Sequence, residues 1–264
     1  MKYAAIDIGS NAIRLLMQES VIDSKSNVYF KKISLTRVPV RLGKDVFTNG
    51  KVSNENLINL IDSFSAFKLL MKVNGVTKFR ACATSAMREA INSKEVCQKI
   101  SESTGIDLEV IPGSEEAKLI FNNFNFIDLD LEKNYVLIDV GGGSTELTFI
   151  KKSKKIAAKS FKIGSVRQLE NNDNAKVINE MKLWVKNTIN TKENLIAIGT
   201  GGSINKLYNL SKHDLNAPMS LKEMVKTTNL ISSYSYYDRI RILKLKPDRA
   251  DVIVPSSELY QSVM

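Results

Sequence analysis

The chain has 264 residues, enough for one large domain or two small ones, and 43% hydrophobic with 25% charged residues is a globular balance. No apolar run approaches the ~20 residues that span a bilayer, and two cysteines, Cys82 and Cys97, are too few for a disulfide framework and fit a reducing cytoplasm. A net charge of +10 points to an acidic partner, while the single histidine, His213 in a polar loop, excludes multi-histidine metal sites and leaves acid–base chemistry to carboxylates.

In chain order, Tyr3–Ile8 reads as a strand with Asp7 at its tip, followed by Gly9, Ser10 and Asn11. Strand composition resumes at Ile13–Gln18, with Arg14 near the turn, and again at Tyr29–Thr36. Arg37, Arg41 and Lys44 then place cations on a strand end and turn, either lining a groove for a polyanion or simply solvated. An amphipathic helix is expected over Glu55–Val73 and a strand over Phe79–Thr84. Thr84, Ser85 and Arg88 fall at the following strand-to-helix junction, where free N–H groups favour an anion. Glu115 and Glu116 follow Ile111-Pro-Gly-Ser114 and open a helix over Ala117–Phe124. There the helix dipole alone accounts for acidic residues.

The second half repeats this grammar. Tyr135–Ile138 is a compact apolar strand ending in Asp139; Gly141, Gly142, Gly143, Ser144, Thr145 and Glu146 form a turn, and Leu147–Ile150 is strand again. Three glycines let the backbone approach a ligand, and successive N–H groups make an anion-binding concavity. A carboxylate beside a phosphate cradle is repulsive unless a cation lies between them, so Asp139 suggests Mg²⁺. Lys151–Lys155 is a basic hairpin tip, either a solvated turn or, with Lys159 and Lys162, the start of a track for a phosphate chain. Strand Lys155–Ile163, helix Ala175–Ile189 and strand Leu195–Thr200 follow. Gly201, Gly202 and Ser203 are a further backbone cradle or an ordinary strand-to-helix turn. Leu221–Ile231 and Tyr236–Leu243 read as helices.

Asp7-Ile-Gly-Ser and Asp139-Val-Gly-Gly-Gly-Ser are thus two copies of one device, each beginning a unit of three strands and then a helix. Two similar α/β domains, 1–126 and 127–264, with a cleft between two facing phosphate turns, are the expected assembly.

The duplicated Asp-x-Gly turns resemble the actin, heat-shock ATPase and sugar-kinase superfamily. Its fold is α/β, with two ribonuclease H-like domains and an interdomain active-site cleft. Six motifs in order narrow the resemblance: Asp7-Ile-Gly-Ser-Asn11 with Arg14, Arg41-Leu-Gly43, Ala83-Thr-Ser-Ala-Met-Arg-Glu-Ala90, Ile111-Pro-Gly-Ser-Glu-Glu-Ala117, Ile138-Asp-Val-Gly-Gly-Gly-Ser-Thr-Glu146 and Gly199-Thr-Gly-Gly-Ser203. This series resembles the exopolyphosphatase / guanosine pentaphosphate phosphohydrolase (Ppx/GppA) family in its short, two-domain form, over essentially the whole chain. Lys162–Arg167 and Pro247–Val254 resemble further family segments. The chain stops at Met264 inside an apolar helical pattern, so the second domain is expected to be cut short at its C-terminal end.

The resemblance implies a Mg²⁺-dependent hydrolase that releases terminal orthophosphate from inorganic polyphosphate, guanosine pentaphosphate, or both. It assigns Glu116 as base for the attacking water, Arg88 to the phosphoryl group being cleaved, and Glu146 to orienting the nucleophile or holding metal. Asp139, Glu146 and Asp7 are the implied metal carboxylates. Gly9, Ser10, Asn11, Arg41, Gly141, Gly142, Gly143, Ser144, Thr145, Gly201, Gly202 and Ser203 are the implied phosphate contacts. Domain closure would bring Glu116 and Arg88 of the first domain against Asp139, Ser144 and Glu146 of the second. A polyphosphate or alarmone sensor without catalysis, and an ATP-dependent kinase of the same superfamily, are the competing readings. Neither a membrane nor a specific nucleic acid is an expected partner, and a homodimer is left open.

Overall fold

A computed structural model of the chain describes residues 1–24, 26–124, 130, 132–152, 154–170, 174–189, 195–211, 214 and 217–264, the side chains of residues 123 and 124 excepted. His213 lies outside the described residues. The chain divides into two compact units, Met1–Pro112 and Gly113–Met264.

The first unit is built on strands β1 (Lys2–Ile8), β2 (Ile13–Ile22) and β3 (Val28–Val38), helices α1 (Leu42–Asn49) and α2 (Asn54–Val73), strand β4 (Lys78–Ala83), helices α3 (Ser85–Glu89) and α4 (Ser93–Thr104), and the short strand β5 (Glu109–Val110). The sheet order is β3-β2-β1-β4-β5, with β1 antiparallel to β2 and parallel to β4. Alternation along β1 sends Ala4, Ile6 and Ile8 into a core with Ile13, Leu15 and Met17 of β2 and with Leu60, Phe64 and Phe67 of α2. Ser53 caps α2 by accepting a hydrogen bond from the Asn56 N–H, which starts the helix within one residue of its expected position. The opposite face carries Ala5, Asp7, Arg14, Leu16 and Leu35. It is left largely open, with Leu35 54% exposed.

The second unit begins with helix α5 (Gly113–Phe124). It continues through strands β6 (Asn134–Val140), β7 (Thr145–Lys151) and β8 (Lys154–Phe161), helices α6 (Ser165–Glu170) and α7 (Ala175–Thr188), strand β9 (Leu195–Thr200), and helices α8 (Gly202–Leu210), α9 (Leu221–Ser233), α10 (Tyr236–Arg241), α11 (Pro247–Ala250) and α12 (Ile253–Val263). Its sheet order, β8-β7-β6-β9, repeats that of the first unit without a fifth strand among the described residues. Each unit therefore has the expected ribonuclease H-like topology, a meander followed by a parallel neighbour of the first strand.

The two faces of this second sheet are both covered. Val136, Ile138 and Val140 point into a core with Leu147, Phe161, Leu207, Ile253 and Tyr260. Tyr135 and Leu137, with Ile150, pack instead against Ile120 and Phe121 of α5. The compact units divide between Pro112 and Gly113, earlier in the chain than the expected 126/127. Helix α5 buries its apolar side on β7 and β8, so it belongs to the second unit, and Glu116 goes with it.

Candidate active site

The site of the second unit follows from strand parity. Cross-strand partners share a face, and the register pairs Asp139 with Glu146, Glu146 with Ser160, and Asp139 with Thr200. Leu137 and Tyr135 lie two and four residues before Asp139, so Asp139 and Glu146 lie on the face that α5 covers. Helix α5 brings Glu116 in its first turn. Three carboxylates, from residues far apart in sequence, are thereby gathered around one glycine turn.

Burial then sets their chemistry. Glu146 is 3% exposed, and its carboxyl is pushed up to about 8. Burial is the largest cause, followed by the negative charge of Glu116. The Ser144 hydroxyl opposes the rise, Asp139 adds to it, and the Ser160 hydroxyl opposes it again. Ser160 donates to Glu146 Oε1 at 2.8 Å, while the buried Oε2 has no hydrogen-bond partner. A buried acceptor without a partner is costly unless a proton or a cation meets it. Thr200 Oγ1 donates to Asp139 Oδ1.

The turn itself is held from behind. Gly141 N–H donates to the Ser144 carbonyl at 2.9 Å, and the Ser165 N–H donates back to the Gly141 carbonyl. The Gly142 carbonyl accepts from the N–H groups of Val166 and Arg167, and Arg167 Nε donates to the Gly143 carbonyl at 2.9 Å. Gly164 is a requirement the sequence reading missed: a Cβ there would stand 2.5 Å from the backbone of Gly142 and Gly143. Arg167, at the end of the Lys162–Arg167 segment, thus braces the turn. Thr145 is fully buried with its hydroxyl on the Ile163 carbonyl at 2.7 Å, so it builds the turn rather than offering a phosphate donor. Ser144, also buried, stands beside Glu146.

At the third turn, Gly201 has φ +105°, and a Cβ on it would lie 3.5 Å from Asp139 Oδ1. Only glycine adopts that backbone conformation readily, while the carboxylate itself leaves room for a Cβ. The Arg249 guanidinium lies over Gly202 and donates to Ser203 Oγ at 3.2 Å. The resemblance of Pro247–Val254 to a family segment did not reveal this contact. Tyr260 of α12 also reaches the strand tips. Its hydroxyl accepts from the Val140 N–H and donates to the Thr200 carbonyl. Burial, and after it the charge of Asp139, hold this phenol well above its usual range, so it stays protonated.

The first unit contains the same turn with different surroundings. Gly9 N–H donates to the Ala12 carbonyl at 3.1 Å, as Gly141 does to Ser144, and Arg41 and Gly43 N–H groups donate to Asn11 and Ser10 carbonyls. Arg41 itself stands at φ 59°, ψ 41° as the residue before α1. Ser10 Oγ is buried without a hydrogen bond. Asp7 pairs with Arg14 at 2.6 Å, so a cation at Asp7 must compete with a guanidinium. Arg88 Nη1 donates to the Ile111 carbonyl at 3.0 Å, tying α3 to the segment after β5.

Among the described residues no three His, Cys, Asp or Glu side chains are grouped to hold a metal ion. A cation at Asp139 and Glu146 would take two carboxylates at most from the chain. That is how Mg²⁺ is commonly held when substrate phosphates and water complete its shell. No helix of the described residues is long and apolar enough to cross a membrane.

Comparison with known proteins bears on the family and the fold. A Fusobacterium nucleatum bifunctional 3-dehydroquinate synthase/phosphatase is 30% identical over 99% of this chain and 43% of its own length. Exopolyphosphatase 1 of Mycobacterium tuberculosis is 28% identical over 56% of this chain and 42% of its own. The chain thus spans about two-fifths of the length of these curated relatives. The crystal structure of an exopolyphosphatase from Cytophaga hutchinsonii superposes with a TM-score of 0.83 at 23% identity, covering 100% of this chain and 90% of that one. The model of the Ppx/GppA phosphatase family matches residues 21–264. With the duplicated Asp-x-Gly turn present in both units, the chain belongs to the Ppx/GppA phosphatase family.

Proposed function

We propose that the chain is a phosphohydrolase that removes terminal orthophosphate from inorganic polyphosphate or guanosine pentaphosphate. The observation that carries this reading is Glu146, a buried carboxyl held at about 8 by burial and by Glu116, at the edge of a braced glycine turn. A structural role would not favour two further acids around a buried one, because their repulsion costs stability. Phosphoryl transfer uses such an arrangement, since it requires a positioned water, a base and compensation of phosphate charge.

Glu116 takes the proton from the attacking water as its oxygen bonds in line to the terminal phosphorus, and the bridging oxygen leaves on the shortened chain. Glu146 orients that water, and the turn at Gly142–Ser144 presents backbone N–H groups to the phosphoryl oxygens. Mg²⁺ fits Asp139 and Glu146 because the donors are hard oxygens and Oε2 of Glu146 is a buried acceptor without a partner. When bound there it supplies charge neutralisation for the transferring phosphoryl group. Thr200 and Ser160 fix the two carboxylates by hydrogen bonds. In the first unit, Ser10, Asn11, Arg41 and Arg88 are phosphate-contact residues in this reading, and the net charge of +10 favours a polyanionic substrate.

Two relatives name the substrate classes: exopolyphosphatase 1, and a guanosine-5'-triphosphate,3'-diphosphate pyrophosphatase from Photobacterium profundum. The test is orthophosphate release from long-chain polyphosphate and from guanosine pentaphosphate, with and without Mg²⁺. Wild type and Glu116→Ala are compared. Magnesium-dependent release that falls by about 10²–10⁴ in the variant is expected. Binding of polyphosphate without release from either substrate would replace hydrolysis with sensing.

A further inference from the structure

The parallel pair β6–β9 ends with Asp139 opposite Thr200. Past this register the strands part, β6 into the glycine turn and β9 into Gly201. Their fork is where the ladder runs out and where the Val140 N–H and the Thr200 carbonyl both lie. The Tyr260 hydroxyl sits in the fork, accepting from Val140 N–H at 3.3 Å and donating to the Thr200 carbonyl. The same threonine's side chain donates to Asp139 Oδ1. Gly199 leaves room for Ile204 and for the ring: a Cβ there would stand 2.8 Å from Ile204 and 3.2 Å from Tyr260. Helix α12 is in turn packed on α8, α9 and β6, so the phenol is delivered by a fixed support.

We propose that Tyr260 is a positioning residue for the phosphohydrolase reaction: its hydroxyl pins the tips of β6 and β9 and, through Thr200, aims the Asp139 carboxylate. The inference rests on the hydrolase reading above. Tyr260 is 1% exposed, so it acts through these groups and not on substrate. A residue present only to fill the core would need the ring and not the hydroxyl. Here both hydroxyl partners are backbone groups at the site, where the β6–β9 ladder ends.

Tyr260→Phe keeps the ring and removes the pin. Orthophosphate release from polyphosphate is expected to fall about ten- to hundred-fold in kcat with KM little changed, as for a misaimed group rather than a lost substrate contact. Thr200→Val is expected to act on the same carboxylate, so the double variant should be no slower than the slower single one. Amide hydrogen exchange supplies a readout independent of turnover. In Tyr260→Phe the Val140 amide should exchange about ten-fold faster, while Tyr135–Leu137 amides in the same strand keep their protection. An unchanged kcat, additive effects of the two substitutions, or a uniform rise in exchange along β6 would each overturn the proposal. If wild type releases no orthophosphate, the hydrolase reading falls by itself. The exchange pattern then still decides whether the hydroxyl pins the strands.

Discussion

The two Asp-x-Gly turns have nearly the same backbone and opposite electrostatics. In each, the glycine N–H closes onto the carbonyl three residues on, and a later segment bonds down onto the turn: Arg41–Gly43 in the first unit, Ser165–Arg167 in the second. In each, the residue directly across the hairpin from the aspartate is charged. Opposite Asp7 it is Arg14, and the two pair at 2.6 Å with side chains 43% and 41% exposed. Opposite Asp139 it is Glu146, which is buried. The difference comes from what covers the sheet. The aspartate face of the first sheet is largely open, whereas α5 lies over the equivalent face of the second and adds Glu116. A duplicated turn can therefore be a neutralised, solvated structure in one copy and a strained acid cluster in the other. In the proposed reaction the second copy is the one that holds the water and the cation.

The largest expected effect tests whether that asymmetry is the chemistry. Glu146→Arg gives the second turn the pairing of the first, and magnesium-dependent orthophosphate release should fall by at least about 10³, equivalent to ~4 kcal/mol. Retained release would show that the acid pair is dispensable.

Next in size is the cost of ionising Glu146. Its folded value, about 8, lies above the ordinary 4.5, so the folded state binds the proton more tightly than the unfolded one. Its contribution to stability is therefore fully present below about 4.5 and lost as pH rises through about 8. Glu146→Gln escapes this loss. In metal-free buffer it should be more stable than wild type at pH 8 by an amount on the order of a few kcal/mol, with the gap closing near pH 4–5. Paired thermal or urea melts at the two pH values measure it, and a gap independent of pH would contradict the account.

The tightness of the second turn gives a smaller effect. Gly164→Ala drives a Cβ to 2.5 Å from the backbone of Gly142 and Gly143, whereas Gly9→Ala meets the Ala12 carbonyl at 3.3 Å. The first should cost roughly 1–3 kcal/mol in denaturant melts and the second less. Smallest is Arg14→Ala. Its ion pair is more than one-third exposed, so solvent screening limits the loss to about 0–1 kcal/mol. A larger loss would mean that the first turn depends on its charges as the second does.

Much of this was legible in the sequence because local pattern decided it. Asp7 and Asp139 each follow a short apolar run and stand two residues before a glycine, and the strand Leu195–Thr200 and the helices Asn54–Val73 and Ala175–Thr188 lie within a residue or so of expectation. What escaped was decided by tertiary contact. Helix α5 reads the same whichever unit it joins, and only the packing of Ile120 and Phe121 on Tyr135, Leu137 and Ile150 carries Glu116 into the second. Thr145 and Ser144 look alike as turn hydroxyls, yet strand parity turns Thr145 inward to Ile163. Tyr260 and Arg249 lie in sequence far from the turns they touch, and the local pattern of their segments does not reveal those contacts.

The most direct measurement is the titration of the Glu146 carboxyl, followed by carbon NMR in metal-free protein with Glu146→Gln as the assignment control. The account predicts a midpoint near 8 that falls in Glu116→Gln and falls further on adding Mg²⁺. A midpoint in the ordinary carboxylate range, indifferent to Glu116 and to Mg²⁺, would contradict it.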